Sequence, residues 1–476
     1  MQAAALPGRV LAVRAALLFA LLAAAYLFSA GLRATHAAAI TGDEPFYLLT
    51  TQSLIDDHNL DLREQYERQS YLEFFDHPDG LWKQSLPGAD GRLLSPHEPG
   101  LAALLIPGFV LGGLRGAQLE LLLIAAATFA LAFVLAARET GAPRAAWLIT
   151  AAAGLAAPAF VYSTEIYPEM PAAFCVVVAL LLLRSHRPAT PLLLACVLTA
   201  LAWLGMKYAP LAAVLAGAYL LRAPNRSRAA LVVLGVASAG VYAWAHLAWF
   251  GALTPYNNNT VYEGAATSAV LDSHLAFDGR LYRLWGLFID RRFGLGRWAP
   301  FLLAVLPALP LLLSREAALG RVVAALVAVQ LGMATFVAIT MMGWWFPGRM
   351  LMPVYPLFAV VLAVAWGHAP RALRFAGAAA AGYSLAVTGA LAAAGHARDV
   401  RIAVDPFAMD APLFRLAGPL FPDYRWWSLE TNVLTAVWLV AFAVAAAAPW
   451  LPAALGLAAR LRPRTTRTPA HPREVA

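Results

Sequence analysis

Apolar runs long enough to cross a membrane alternate with short polar connections along most of this chain. The first run covers residues 10–30 and the second covers about 117–137. Runs of about 18 or more apolar residues are typical of transmembrane helices. The pattern therefore predicts an all-α, polytopic membrane bundle of about twelve transmembrane helices. The further predicted spans lie near 145–162, 170–183, 190–206, 208–221, 229–250, 298–313, 321–342, 350–366, 375–394 and 432–451.

The longest polar interruption, residues 31–100, directly follows the first run and holds twelve of the 27 acidic residues. Two short amphipathic helices are predicted within it, at 44–55 and 62–75, and helices of this kind suit a membrane surface. Pro45 fits the first turn of the earlier one. The apolar stretch 101–113 is too short to span and is interrupted by Pro and Gly, so we expect it to be interfacial or re-entrant.

Arginines in the short connections predict the orientation of the bundle. With the N-terminus in the cytoplasm, every short inner connection carries at least two arginines, as the positive-inside rule requires. The long connections 31–100, 251–297 and 395–430 then lie outside, and both termini lie inside. Residues 1–456 form the predicted membrane domain, and the basic, Pro- and Thr-rich tail 457–476 is expected to be disordered. The inner arginines are Arg138, Arg144, Arg184, Arg187, Arg222, Arg226, Arg228, Arg315, Arg321, Arg371 and Arg374.

The composition supports a membrane protein and excludes a chain of soluble domains. Of 476 residues, 61% are hydrophobic and only 13% are charged. The net charge of +8 comes from arginines dispersed between apolar runs and in the tail, so it does not indicate a nucleic-acid partner. Cys175 and Cys196 both fall within apolar runs, which favours buried apolar residues over a disulfide or a metal site.

The acidic pair Asp43–Glu44 stands where the first apolar run gives way to the polar segment. Ionisable groups beside a membrane span are candidates for function. Two adjacent carboxylates can divide the work of taking a proton and orienting its donor. The simpler interpretation is a helix N-terminus whose acids favour the helix dipole. We interpret Asp43 as a catalytic base and Glu44 as its catalytic support.

Three further candidates fall on the same predicted outer side. Glu169 heads an apolar helix, Lys207 lies in a short turn, and Arg349 follows a Trp-rich connection. Lys207 and Arg349 offer donors to a phosphate oxygen. The simpler interpretations are helix capping for Glu169, snorkelling for Lys207 and interfacial anchoring for Arg349.

Arg291 and Arg292 are similar outer-side candidates for binding a phosphate. An ion pair with the preceding Asp290 would account for one of them.

His97, Glu98 and the acidic segment 57–61 raise the question of a metal site. The segment has the first ligand spacing of a calcium loop, but the turn glycine and the final bidentate acid of such a loop are both missing. A divalent metal held by Asp43, His97 and Glu98 stays open as an alternative, and no metal ligand is assigned. The sequence has no phosphate-binding glycine loop and no Gly-x-Ser-x-Gly elbow.

These motifs resemble those of the GT-C superfamily of integral membrane glycosyltransferases, which includes protein O-mannosyltransferases, aminoarabinose transferases and bacterial transferases related to lipopolysaccharide core enzymes. Gly-Asp-Glu-Pro-x-Tyr at 42–47 is similar to the family's acidic motif after the first span. The turn 162–171 is similar to its second outer turn, with Glu169 where the family usually has Asp. Gly-Arg-x-x-x-Pro at 348–353 is similar to its later arginine motif. The resemblance covers about the first 210 residues and the region 340–360.

The resemblance implies an inverting transferase in the bacterial inner membrane that moves a sugar from a polyprenyl phosphate to a lipid, glycan or protein of the envelope. No nucleotide is implied, and the site would face the outer side. Asp43 would deprotonate the acceptor hydroxyl. The implied donor-phosphate residues are Arg349, Lys207, Arg291 and Arg292, and the implied acceptor or sugar residues are Tyr47, Glu169, His97 and Glu98.

A transporter or lipid flippase is the main alternative to a transferase. It predicts ionisable residues near the middle of the membrane and a repeat relating two halves of the chain. The acids instead concentrate on the predicted outer side, and no repeat is evident. A non-catalytic assembly protein of the envelope is a second alternative, which would need no paired acids beside a cationic site.

Overall fold

The computed structural model describes residues 8–88, 90–185, 187–261, 267–315 and 317–447, where the regular secondary structure is helical. Extended backbone pairs there only in two isolated bridges, Asp61–Leu94 and Ser85–Asn259. The predicted disordered tail lies outside the described residues. The α-helices are α1 (Gly8–Tyr26), α2 (Glu44–Asp56), α3 (Arg63–Glu67), α4 (Pro99–Leu104), α5 (Ile106–Thr140), α6 (Pro143–Leu155), α7 (Ala157–Tyr162), α8 (Glu169–Leu182), α9 (Thr190–Leu204), α10 (Ala209–Leu220), α11 (Asn225–Phe250), α12 (Thr267–Leu275), α13 (Arg283–Ile289), α14 (Leu295–Trp298), α15 (Val305–Arg315), α16 (Ala317–Gly332), α17 (Tyr355–His368), α18 (Arg371–His396), α19 (Pro412–Ala417) and α20 (Leu429–Ala447). Short 3₁₀ segments are Ser70–Glu73, Met206–Tyr208, Pro255–Asn258, Pro300–Ala304, Arg349–Val354, Pro406–Ala408 and Gly418–Leu420, and Met333–Val337 is a π-helical turn.

Seven helices within these ranges are long and apolar enough to cross a membrane, and four shorter apolar helices accompany them. The chain is therefore a polytopic helical bundle, as predicted. Several predicted spans are shorter than a bilayer requires. The predicted spans 190–206 and 208–221 become α9 and α10, of 15 and 12 residues, because the chain leaves helical geometry at Gly205.

Helix α5 lies at the centre of the bundle and packs against α1, α6, α8 and α17. Helix α17 follows Arg349 and is enclosed. In the apolar part of the span Arg349–His368, 78% of the residues are buried, compared with only 11% in α1 and 6% in α20. The exposed side chains of α1 and α20 include Leu17 and Val440. An apolar surface of this kind is stable only against lipid or another apolar partner, so these helices form the outer layer.

The chain reverses direction at Gly112 and Gly113, inside α5, where both residues leave helical geometry. A Cβ on Gly116 would overlap the carbonyl oxygen of Gly108. Residues eight positions apart in a straight helix are separated by about 12 Å, so this contact requires a tight hairpin. The short apolar stretch 101–113 therefore ends at the turn, and the long arm of α5 begins after it.

The three long connections pack against each other at one end of the bundle. We call the described residues of the segments 27–98, 251–304 and 397–428 together the loop cap. The carbonyl of Arg33 accepts a hydrogen bond from the amide of Ile402 at 3.0 Å. The carbonyl of Gln84 accepts one from Thr260 at 2.8 Å. These backbone bonds place the predicted outer connections on one common side.

The two helices predicted in the first connection differ from expectation. Helix α2 forms as predicted, but its residues are buried from Glu44 to Ser53 and it packs on α4 and α5. Its expected position on a membrane surface is therefore wrong. The helix predicted at 62–75 divides into α3 and the 3₁₀ segment Ser70–Glu73, because Gln69 between them has a left-handed backbone with φ of 53°.

Candidate functional site

Asp43 and Arg349 each follow a glycine with a left-handed backbone. Gly42 has φ of +62°, and a Cβ there would lie 2.8 Å from the Tyr167 hydroxyl oxygen. Gly348 has φ of +96°, and a Cβ there would lie 2.7 Å from Leu295 Cδ2. Glycine adopts this conformation without steric cost. The two glycines therefore allow both turns to be tight enough for the following side chains to meet.

The Arg349 guanidinium joins two carboxylates that are far apart in sequence. Its Nη2 lies 2.9 Å from Asp43 Oδ2, and its Nε lies 3.0 Å from Glu169 Oε1. Lys207 Nζ lies 2.7 Å from the same Glu169 oxygen. The guanidinium also covers the ring of Tyr167, with its Cζ 3.8 Å from the ring centroid. Two carboxylates and two cationic side chains thus balance each other's charge in a largely buried network, which lowers the cost of burying each charge.

The other side of Asp43 faces a neutral polar pair. Asp43 Oδ1 accepts a hydrogen bond from Gln84 Nε2 at 3.4 Å and lies 3.8 Å from His97 Nε2. His97 Nε2 donates to Gln84 Oε1 at 2.7 Å. Tyr47 packs beside this pair, with its ring centroid 4.9 Å from that of His97. The structure therefore brings Tyr47 and His97 to the side of Asp43.

The electrostatic surroundings keep Asp43 ionised. Burial opposes its charge, but Arg349, His97 and Lys207 outweigh burial and hold the pKa of Asp43 well below its usual range. Burial, together with the charge of Arg349, lowers the pKa of His97 although Asp43 opposes that shift. At neutral pH the site therefore presents an anionic carboxylate beside a neutral imidazole.

Glu44 binds backbone amides rather than the charged network. Its Oε2 accepts from the amide of Thr41 at 2.9 Å and its Oε1 accepts from the amide of Ile166 at 3.0 Å. Burial, with a contribution from Asp43, raises the pKa of Glu44 to about 7 in spite of these two donors. Glu44 therefore ties the acidic motif to the turn before α8, and Asp43 is left as the acid that faces the cavity.

A cavity of about 630 Å³ opens beside Asp43, and we call it the Asp43 cavity. Asp43 is the one carboxylate among its lining residues. Trp345 connects the cavity to the charged network, since its ring lies 5.0 Å from the Arg349 guanidinium. The cavity suits a ligand with both flat apolar faces and hydroxyl groups. Its walls are formed by Thr35, His36, Ala37, Ala38, Thr41, Gly42, Asp43, Phe75, His77, Trp82, Gln84, Trp344, Trp345 and Val404.

Glu98 points away from the Asp43 cavity. Its carboxylate is buried and accepts from the Tyr242 hydroxyl at 2.7 Å, and it lies 2.6 Å from His246 Nε2. Both partners belong to α11, so Glu98 links the loop cap to that helix. The metal set of Asp43, His97 and Glu98 does not converge, and no group of three or more metal-ligand side chains occurs in the described part of the chain.

Arg291 and Arg292 lie outside the Asp43 network, beside a second cavity. Arg291 pairs with Glu430 at 2.8 Å. The prediction that Asp290 forms an ion pair with one of these two arginines is wrong. The Asp290 carboxylate instead accepts hydrogen bonds from the backbone amides of Arg292, Phe293 and Tyr424.

Several residues at the site gave no sequence signal. Gln84 bonds both Asp43 and His97, yet it lies in an irregular polar segment without a motif. Trp344 and Trp345, in the Trp-rich connection before Arg349, line the cavity, which their sequence alone did not indicate. Tyr167 lies in the turn 162–171, and the resemblance of that turn to a family motif indicated a site residue there.

Two buried polar atoms beside the network have no hydrogen-bond partner in the described part of the chain. They are Glu169 Oε2 and the Tyr208 hydroxyl. A buried polar atom without a partner is costly, so these two atoms are polar groups of the site that the described side chains leave unsatisfied.

No protein-family model, no curated protein and no solved structure matches this chain. Its function is therefore inferred from the side chains of the site.

Proposed function

We propose that this protein is a membrane glycosyltransferase of the bacterial inner membrane, which takes a sugar from a polyprenyl phosphate and passes it to an envelope acceptor on the outer side. The observation that carries the proposal is the position of Asp43 on the wall of a large aromatic cavity, where it is paired with Arg349. A carboxylate can take the proton of an attacking hydroxyl group, and an aromatic wall can hold the apolar face of a sugar ring, so the two together suit the transfer of a sugar to a hydroxyl group.

Asp43 acts as the general base in this proposal. The acceptor oxygen forms a bond to the anomeric carbon, the bond from that carbon to the phosphate oxygen breaks, and the leaving phosphate keeps the electron pair. The acceptor proton passes to the Asp43 carboxylate. A base with a lowered pKa is weak toward an ordinary alcohol, but an attacking hydroxyl becomes strongly acidic once its oxygen has begun to bond to carbon. The base form of Asp43 is present throughout the neutral range, so no activation step is needed.

The Arg349 network positions this base and stabilises charge. Arg349 holds Asp43 by one oxygen, which leaves the Oδ1 side toward Gln84 and His97. As the proton arrives on Asp43, the guanidinium loses part of its counter-charge and attracts the negative charge that develops on the leaving phosphate. Glu169 and Lys207 keep the guanidinium in place throughout this change.

The aromatic walls bind the sugar or the acceptor. Trp82, Trp344 and Trp345 offer flat faces for the apolar side of a sugar ring, and Tyr47 supports His97 behind the cavity. The apolar outer helices would give the polyprenyl chain of the donor a lipid environment beside the loop cap. The donor phosphate can then reach the site without the lipid leaving the membrane.

The test uses the full chain in nanodiscs with radiolabelled polyprenyl-phosphate sugars and an extract of envelope acceptors. We expect label to move to an acceptor with release of the polyprenyl phosphate, and nucleotide sugars to be inert. The same protein in proteoliposomes separates the main alternative. If an intact labelled lipid crosses the membrane and no glycosidic bond is broken, the protein is a transporter and the proposal fails.

A further inference from the structure

A second cavity of about 410 Å³ in the loop cap is lined by three arginines, and we call it the arginine cavity. Since a water molecule takes about 30 Å³ of liquid volume, this space would hold on the order of ten waters. It is therefore large enough for a polyatomic anion. Its lining residues are Arg291, Arg292, Arg297, Val404, Asp405, Phe407, Ala408 and Asp423.

Arg297 is the most informative of the three, because it is 8% exposed and has no carboxylate partner in the described part of the chain. Its Nε and Nη2 donate to the carbonyl of Phe414 at 3.2 and 3.1 Å, and its Nη1 donates to the carbonyl of Arg291 at 3.4 Å. Three of the five N–H groups of a guanidinium are thus used. Burial lowers its pKa to about 10, and the neighbouring arginines contribute to the shift.

The backbone around Arg297 is shaped to admit the guanidinium. A Cβ on Gly418 would lie 3.2 Å from Arg297 Nη2, so glycine leaves room for the cation there. The guanidinium lies over the ring of Phe414, with Cζ 3.7 Å from the ring centroid. Stacking on a ring leaves the edge of the guanidinium, where the N–H groups are, available to an acceptor.

Arg292 adds a second cation that no carboxylate neutralises at ion-pair distance within the described ranges. Its guanidinium lies 4.8 Å from the centroid of Phe407, and Phe407 also lines the cavity. Arg291 completes the set, with one edge bonded to Glu430 and to the carbonyl of Phe421. Arg292 and Arg297 therefore give the cavity two cations without a direct ion pair in the described ranges, and Asp290 and Asp423 act on Arg292 only from beyond ion-pair distance.

The two acids in the cavity wall are already engaged. Asp405 pairs with His36 at 2.9 Å and accepts from the amide of Arg401. Asp423 pairs with Arg425 at 2.9 Å. Neither acid compensates Arg292 or Arg297 by a direct bond. Burying a cation without compensation is costly, and a bound anion would remove that cost for the buried Arg297.

We propose that the arginine cavity binds the phosphate group of a phosphorylated ligand. A phosphate presents at least three acceptor oxygens and can meet guanidinium groups from several directions, whereas a single carboxylate is satisfied by one bidentate arginine. The proposal rests on the proposed function only for the source of the phosphate, which is a polyprenyl phosphate in a transferase and inorganic phosphate otherwise.

The arginine cavity adjoins the Asp43 cavity. Val404 lines both of them, and the Asp405–His36 pair joins a wall of one to a wall of the other. The two cavities therefore share a wall.

The test is direct binding, measured by titration calorimetry on the full chain in nanodiscs with a short polyprenyl monophosphate and with inorganic phosphate. Arg292→Gln should weaken binding of at least one of the two probes tenfold or more, and Arg292→Lys should fall between it and the wild type. Arg415→Gln is the matched control, because Arg415 is an exposed loop-cap arginine outside the cavity that pairs with Asp410. It should change binding less than twofold.

The two probes separate the sources of the phosphate. Arginine-dependent binding of the polyprenyl phosphate alone identifies a lipid-borne ligand, and the same dependence for inorganic phosphate shows that the phosphate group suffices. The proposal is overturned if neither probe binds, or if Arg292→Gln with wild-type thermal unfolding binds both probes as the wild type does. Phosphate binding should persist in Asp43→Asn, so failure of the transferase proposal would be seen separately.

Discussion

Arg349 determines the charge state of the acid beside it. The side chain of Asp43 is 28% exposed and that of Glu169 is 2% exposed. Without the guanidinium, burial of both carboxylates would be opposed only by Lys207 and, at Asp43, by His97. The low pKa of Asp43 is therefore a property of the pair and not of the acidic motif alone. Two residues separated by 306 positions produce it.

Arg349→Gln should make the transfer rate fall as the pH is lowered between about pH 8 and 5, a range in which the wild-type rate shows no such fall. In the wild type the folded pKa of Asp43 lies below the unfolded value of about 3.9, so its stabilisation is present above that value and is lost as the pH falls through the folded pKa. In the variant, burial is less opposed and the pKa rises. The measurement is the pH profile of the transfer rate. An unchanged profile with retained activity would show that Arg349 does not control Asp43.

Glu44→Gln should lower the free energy of unfolding by about 1–3 kcal/mol, the usual cost of a buried polar group left unsatisfied. Only one of the two amides that Glu44 binds can keep an acceptor, and the new NH₂ group faces the other. Denaturant titration in nanodiscs measures the loss. Glu73→Gln, at an exposed position of the loop cap, should be neutral. Equal stability of the two variants would show that the bonds from Glu44 to the two backbone amides do not stabilise the fold.

At the scale of elements, turns rather than helices determine where the site residues lie. Helix α2 could be predicted from its sequence, because Pro45 and the apolar spacing favour a helix there. Its burial could not, because it packs on α4 and α5, which follow it in the chain and are not indicated by its own sequence. The break of the predicted helix 62–75 at Gln69 was also hidden, since no Gly or Pro marks it.

The hairpin in α5 gives a prediction with an internal control. Gly116→Ala places a Cβ against the Gly108 carbonyl oxygen and should destabilise the protein by about 1–3 kcal/mol or more, as overpacking does. Gly112→Ala meets no atom within 4 Å and has an extended φ of −167°, so it should be close to neutral. Thermal unfolding of both variants measures the difference. A neutral Gly116→Ala would mean that the two arms do not approach each other this closely.

At the scale of the whole molecule, the lengths of the apolar runs made the bundle predictable, because the thickness of a bilayer sets the length of a span. The common side of the long connections followed from the distribution of arginines. The partners within the loop cap did not follow. Glu98 bonds to His246, 148 residues away. Nothing in the local sequence distinguishes that partner from a metal ion shared with Asp43.

The orientation of the bundle gives a prediction at the same scale. In a background with Cys175 and Cys196 replaced by Ala, Asp410→Cys in the loop cap should react with a membrane-impermeant thiol reagent in intact spheroplasts. Arg144→Cys, in a predicted inner connection, should react only after the membrane is opened. The reverse pattern would place the loop cap in the cytoplasm. It would contradict the proposal that the protein uses a polyprenyl-phosphate donor on the outer side of the membrane.

The central claim is that Asp43 is the base of a sugar transfer, and the most direct measurement is the transfer rate of Asp43→Asn in nanodiscs. The substitution keeps the size of the side chain and removes its basicity. We predict a rate 10²- to 10⁴-fold below the wild type, the range typical of a lost general base. Asp410→Asn, an exposed loop-cap acid outside the cavity, should transfer at the wild-type rate. A folded Asp43→Asn protein that transfers sugar within twofold of the wild-type rate would contradict the account.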